Sequence, residues 1–410
     1  MKKIFNFALY DFANSAFTTI IITFIFATYF ATQIAPNPII GQSYWGWTIG
    51  ITGFMVAIIG PVAGSYADKK NKIVFFIRLF SIFCIVFTAL LWFAKPSQSY
   101  LVYTLIVIGI ANFFYELSLI FYNSLLKNIT SDKNLGRSSG FGFALGYLGG
   151  IIILIISIKL FIDSDSIPFG LVKEESQNIR AIAILVSIWF FIFSIPFLFF
   201  AIKENKTKIK EKVSSNFSEL KKLIWQGKIS VLGKFLIARM LYADGLNAII
   251  VMGGIFAVGV FNLEIKDLLK LSVIMNISAF IGAIIGGIIN DKYGSKAVII
   301  FSLVGLILSS IAILFTLSVQ VFFFLAAING LFIGPIQSAS RVVITSVLNK
   351  HHQGKGFGLF ATSGKLTSFL GPFLVSTVTF LTGSQRIGFS AAIILLLAGL
   401  IILLNIKKIN

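Results

Sequence analysis

One apolar run after another, each long enough to cross a bilayer, dominates this chain. Hydrocarbon offers a backbone N–H or C=O no partner, so a run of about 20 apolar residues crosses as a helix that satisfies its own backbone. Such runs fall at 6–34, 44–67, 73–95, 99–126, 138–162, 180–203, 234–262, 268–290, 297–317, 319–346, 355–382 and 385–406. The expected fold class is therefore an all-α polytopic membrane protein with twelve transmembrane helices. Composition agrees: 12% of residues are charged, against about 25% in soluble domains. No water-soluble domain is evident. Lys2 and Lys3 precede the first run as they would in a signal peptide. That run is long, however, carries Asp11 and Asn14, and lacks a clear small-residue cleavage site. It reads as a retained span.

The basic excess has a pattern. The formal charge is +19, and the lysines and arginines sit in short connections between spans. Lys2–Lys3, Lys69/Lys70/Lys72, Lys127/Lys133/Arg137, the 203–234 segment, Lys292/Lys296, Lys350/Lys355 and Lys407–Lys408 fall on one side, while the opposite loops carry little charge or mixed signs. The positive-inside rule then puts both termini in the cytoplasm. Contact with anionic lipid accounts for the excess without a nucleic-acid partner. Cys84, the sole cysteine, excludes an internal disulfide. His351 and His352 are adjacent in a loop and read as solvated. No metal site and no cofactor are expected.

The 203–234 segment, lysine-rich with Phe217, Leu220, Leu223 and Ile224 at roughly helical spacing, reads as a tether with some interfacial helix. It divides the chain into an N-terminal bundle (1–203), a central cytoplasmic loop (204–233) and a C-terminal bundle (234–410). Three features recur in register between the halves. Gly64-x-x-x-Asp68-Lys69 follows the second span and Gly287-x-x-x-Asp291-Lys292 the eighth. Gly140-Phe141-Gly142 opens the fifth span and Gly356-Phe357-Gly358 the eleventh. Asp11-x-x-Asn14 in the first span matches Asp244-x-x-Asn247 in the seventh, each with a tyrosine just before. Three matches at corresponding places argue for two parallel six-span repeats.

Six plus six spans, a long central loop and G-x-x-x-D-K in each half resemble the major facilitator superfamily. YDFANSAF, FYELSLIFYNSLL at 114–126, GFALGYLGG at 142–150, LYADGLNA at 241–248, GPIQSASR at 334–341 and GKLTSFLGP are similar to the vacuole-effluxer-like branch. That branch includes the fungal autophagy-related vacuolar amino-acid effluxer and bacterial relatives. Asn71 stands where the superfamily pattern usually has glycine, and Lys127 where bacterial members often have proline. The resemblance implies two pseudo-symmetric six-helix bundles, a bacterial cytoplasmic membrane, a small-molecule substrate, and a monomer driven by a proton or ion gradient or by the substrate gradient alone.

Intramembrane charge marks function by default. Asp11, Glu116, Arg239, Asp244, Arg341 and Lys365 are the candidates. By the resemblance, the first, fourth, seventh and tenth spans line a central cavity and the eleventh contributes; all six lie there. Asn112 and Asn123 share the helix face of Glu116, which is either a proton carrier or a carboxylate locked in an interhelical contact. Gln337 accompanies Arg341, whose alternatives are the cavity, gating, or snorkelling to the interface. Lys365, about ten residues or roughly 15 Å into its span, is too deep to snorkel easily. Asp11 is expected little more than a turn into its helix, where the dipole favours it; with Asn14, Ser15 and Thr18 it is expected to face the central path, as are Asp244 and Asn247. Asp68 and Asp291 can cap neighbouring helix N-termini. The resemblance implies that Gly64, Asp68, Lys69, Gly287, Asp291 and Lys292 form the gating loops.

No phosphate-binding loop and no nucleophile–base cluster stand out, so an enzyme is not expected. The leading expectation is a secondary transporter of a small polar solute, best an amino acid, by alternating access. Export of amphipathic compounds or lipids is the alternative, since the 44 phenylalanines can line a cavity as well as face lipid. A sensor or scaffold without transport is the third.

Overall fold

The computed structural model describes residues 2–164, 167–201, 223–225, 227–263, 265–348, 352–365, 367–368 and 370–406. Most of the central segment, His351 and the last four residues lie outside these, and with them the expected interfacial helix. Among the described residues, twelve helices are long and apolar enough to span a membrane: Lys2–Ile34, Tyr44–Lys70, Ile73–Phe93, Gln98–Ser124, Asp132–Ile162, Glu174–Phe200, Val231–Gly254, Lys270–Tyr293, Ser295–Phe315, Val319–Val347, Gln353–Thr382 and Gln385–Leu404. They are numbered here as spans one to twelve. The fold is all-α and polytopic.

Serines cap several of these spans. The Ser97 hydroxyl accepts from the Ser99 N–H before span four, and Ser318 accepts from Val321 N–H before span ten. Ser230 and Ser384 do the same for spans seven and twelve. Each satisfies one N–H that the first helical turn leaves open.

Two expectations about the spans need correction. Span one begins at Lys2, with no acidic residue in its first turn. Asp11 therefore lies in its third turn, beyond the reach of the dipole. The helix starts early because Phe7 and Ala8 are buried and Asn6 Nδ2 donates to the Pro196 carbonyl of span six. Span eleven is not one helix. Its described pieces are the helices Gln353–Lys365 and Leu370–Thr382, with Thr367 and Ser368 non-helical between them.

Packing sorts the chain into two compact units. Unit one holds residues 1–58, 71–122 and 145–208; unit two holds 59–70, 123–144 and 209–410. In unit one, Tyr10 shares hydrogen bonds with Ser81 and Ser118 inside an aromatic cluster where the Phe7 and Tyr122 rings stack at 4.1 Å. In unit two, the Tyr242 hydroxyl meets Ser340 at 2.7 Å, and the Phe261 and Phe322 rings stack at 4.4 Å.

Each unit also ties its third and sixth spans together with cations at helix C-termini. In unit one, Arg78 donates to the Leu198 carbonyl at 2.6 Å and Arg180 to the Trp92 carbonyl at 3.0 Å. In unit two, Lys296 donates to Leu404 and Ile406 carbonyls at 3.1 and 2.7 Å, and Arg386 to the Leu314 carbonyl at 2.5 Å. A cation supplies the partner that terminal carbonyls lack and complements the dipole.

Candidate functional site

Unit two gathers the G-x-x-x-D-K loops and the helix starts that receive them. Asp68 is buried at 3% exposure. Its two carboxylate oxygens accept from the Gly354 N–H at 3.0 Å and the Lys355 N–H at 2.9 Å. These N–H groups belong to the first turn of the helix Gln353–Lys365, where they lack intrahelical partners. Asp291 repeats the arrangement on the helix Leu135–Ser157: Gly136 N–H donates at 2.6 Å and Arg137 N–H at 3.2 Å. Arg137 Nε adds an ion pair at 3.3 Å. Lys69 and Lys292 are exposed, and the Lys292 ammonium lies 5.0 Å from the Tyr293 ring.

Glycines make these approaches possible. A Cβ on Gly64 would run into the Gly354 carbonyl, and one on Gly287 would stand 2.7 Å from the Gly136 carbonyl. Only a residue without a side chain lets the backbones meet there.

Around the Asp68 cap, charges close further helix ends. Lys127 donates to the Thr345 and Leu348 carbonyls at 3.2 and 3.0 Å, at the end of span ten. Gln353 Nε2 reaches the same two carbonyls. A proline at 127 could not do this. His352, expected to be solvated, is half-buried instead.

Arg341 does not snorkel: it is buried at 2% exposure in span ten. Nε donates to the Ser139 hydroxyl at 2.9 Å, Nη2 to the Ser139 carbonyl at 2.7 Å and Nη1 to Asn123 Oδ1 at 3.1 Å. Its guanidinium lies 4.3 Å from the Phe143 ring. A buried guanidinium with this many partners is a structural clamp among spans four, five and ten. Ser139 was invisible in the sequence, since one serine among many gives no local signal.

The remaining candidates of unit two lie on spans seven, ten and eleven. Arg239 Nη1 donates to the Phe360 carbonyl at 2.6 Å and the Ser363 hydroxyl at 2.7 Å, with its guanidinium 3.4 Å from the Phe360 ring centre. Asp244 is 2% exposed, and Asn247 Nδ2 donates to the Ser368 carbonyl at 2.9 Å. Gln337 and Lys365 are half-buried.

In unit one, the Asp11–Asn14 stripe turns into the packing. Tyr122 donates to Asp11 Oδ2 at 2.8 Å, and Tyr115 to Asn14 Oδ1 at 3.3 Å. Gly149 and Gly150 admit Phe12, Ser15 and Thr19. Asn112 Nδ2 donates to Thr52 of span two at 2.7 Å. Asn112 and Asn123 therefore address different spans, while Glu116 between them is half-buried. Among the described residues an apolar crevice of about 280 Å³ opens between spans eight, nine and ten, lined by Ile285, Ile289, Phe301 and Phe332. It contains none of the candidate residues.

Comparison with known proteins agrees with this architecture. The chain is 26% identical over 411 residues to the MFS-type transporter YxiO of Bacillus subtilis strain 168, covering 97% of this chain and 93% of that protein. It is 26% identical to autophagy-related protein 22 of Yarrowia lipolytica over 66% of this chain, spanning about half (51%) of the fungal protein. Among solved structures, the MFS proton:xylose symporter XylE superimposes with a TM-score of 0.77 at 12% identity, covering 98% of this chain and 94% of that one. The human organic anion transporter MFSD10 gives 0.72 at 13% identity, covering 98% and 99%. These likenesses show the major facilitator fold. The family described as vacuole effluxer Atg22-like matches residues 31–408. The chain belongs to that family, and it is a major facilitator transporter, not an enzyme.

Proposed function

We propose that this transporter exports a small polar solute, best an amino acid, by alternating access, as a monomer driven by a proton gradient. Its place is a bacterial cytoplasmic membrane with both termini inside, because the basic connections gather on one side of the spans. Amino acid and export rest on kinship with a family described as vacuole effluxers. Alternating access rests on one observation above all: two carboxylates, Asp68 and Asp291, each hold a helix N-terminus through backbone N–H groups. Such contacts are strong enough to hold one state and few enough to break, as a rocking transporter needs. The division at 204–233 then serves as the tether between two moving bundles.

In unit one Glu116 serves as proton carrier, and in unit two Lys365 and Gln337 supply polar groups for the solute. A substrate panel in proteoliposomes, with and without a pH gradient, tests this reading. Leucine-type amino acids are set against hydrophobic cations, which would be taken instead by an amphipathic exporter. With the best substrate, Glu116→Gln is expected to abolish the pH dependence of uptake. Unchanged pH dependence would remove Glu116 from coupling.

A further inference from the structure

Arg239 and Arg341 both lie inside spans of unit two, and they are held differently. Arg341 spends Nε, Nη1 and Nη2 on Ser139 and Asn123. Arg239 spends Nη1 alone, on the Phe360 carbonyl at 2.6 Å and the Ser363 hydroxyl at 2.7 Å. It sits in the helix Val231–Phe261, about 12 Å from its start at 1.5 Å per residue. The Phe360 ring centre lies 3.4 Å from its guanidinium carbon, which fixes the plane of the group. Among the described residues, Nε and Nη2 have no hydrogen-bond partner, and neither atom is sealed off by burial. No carboxylate there comes within 4 Å of the guanidinium. Asp244 attracts it from further off, but stands five residues on, about 140° round the helix.

The unused edge belongs to a partly open face. Arg239, Ala243 and Asn247 follow at i+4 spacing, so they share one side of span seven, and all three are half-buried. Ala238, Tyr242 and Leu246, each one residue earlier, are buried. A helix face that carries an arginine and an asparagine inside a membrane meets water or protein rather than lipid. Gly364 of span eleven borders the guanidinium. A Cβ there would stand 2.8 Å from Nη1 and 3.0 Å from Nη2, so only glycine leaves the group seated on Phe360 and Ser363.

A cation inside a span is costly unless anions or acceptors are set against it. Here the protein gives acceptors to one nitrogen and an aromatic face to the group, and leaves the Nε–Nη2 edge. Two parallel N–H groups on such an edge match the two oxygens of a carboxylate. A planar carboxylate also lies flat in the plane that Phe360 fixes. A lysine ammonium has no such fork.

We propose that the Nε–Nη2 edge of Arg239 binds the carboxylate of the transported solute. The site therefore takes small carboxylate anions as a class and refuses amines that lack the group. The proposal rests on the reading of a small polar solute above and sharpens it: the carboxylate, not the ammonium of an amino acid, is what this site selects.

Phenylglyoxal modifies guanidinium groups that it can reach. The full chain in phosphatidylcholine nanodiscs, free of anionic lipid, is treated with it, and its peptides are mapped by mass spectrometry. The expected result is an adduct on Arg239 and none on Arg341. At equal ionic strength, acetate, 4-methylpentanoate and leucine protect Arg239, while chloride, leucinamide and 3-methylbutylamine do not. Gly364→Ala keeps the arginine but displaces it, so carboxylates no longer protect. Arg239→Lys keeps the charge and loses the fork, and raises KM for leucine uptake about tenfold or more. An Arg239 that does not react, or that no carboxylate protects, overturns the site; so does equal protection by leucinamide or by phosphate. If carboxylates protect while leucine is not taken up, the amino-acid reading fails and the site stands. If Arg239→Lys takes up leucine with the KM of the parent, the site fails and the transport reading stands.

Discussion

The two copies of one loop motif are built for different strengths. Asp68 holds Gly354 and Lys355 at 3.0 and 2.9 Å from a buried position. Asp291 holds Gly136 and Arg137 from a half-buried one and adds an ion pair to Arg137, whose side chain is 61% exposed. Water can replace the ion pair on the exposed Arg137 guanidinium at the second site, where the Asp291 side chain itself is only 6% exposed. An exposed ion pair also contributes little, about 0–1 kcal/mol, whereas a buried group stripped of its partners costs about 1–3 kcal/mol. The copy without a surface ion pair is thus expected to be the stronger closure.

That asymmetry can be broken in steps. The largest effect is expected from Gly64→Val, which drives a branched side chain into the Gly354 backbone. Overpacking of this kind costs about 1–3 kcal/mol, and here it adds to loss of the Asp68 cap. Thermal unfolding should fall by several degrees, and reporter cysteines on the basic side should label freely. Cys84 is buried and leaves a quiet background for that assay. Next, Asp68→Asn should open the basic side more than Asp291→Asn, by roughly the 1–3 kcal/mol of a buried charged contact. Equal labelling of the two variants would erase the distinction, and labelling of Asp291→Asn identical to the parent would deny it a gating role. Smallest is Arg137→Ala, within about 1 kcal/mol, with an effect that vanishes at high salt.

Much of this site is visible without a structure. The two G-x-x-x-D-K copies announce themselves because a repeated motif at equal places in two halves is a local pattern. Twelve apolar runs announce spans for the same reason. Arg341 marked itself as an intramembrane charge, but its partners Ser139 and Asn123 lie about 200 residues away in sequence. Lys127 stood out only as a departure from the family pattern, and its task of closing span ten emerges from tertiary contact. The apolar run alone puts Asp11 too near a helix end, because a helix start depends on what Phe7 and Ala8 pack against. The reciprocal caps Arg78–Leu198 and Arg386–Leu314 join basic residues to bare carbonyls, which leave no mark in a sequence.

By itself the chain's sequence determined that it spans a membrane twelve times as helices, that it is internally repeated, and which family it resembles. Bilayer thickness and unpaired backbone groups leave an apolar run no other fold, and a repeat is read residue against residue. Only the tertiary structure decided where span eleven breaks and which helix end each aspartate holds. It alone paired Arg341 with Ser139. Those outcomes depend on which distant groups meet once the helices pack, and hydropathy carries no record of that.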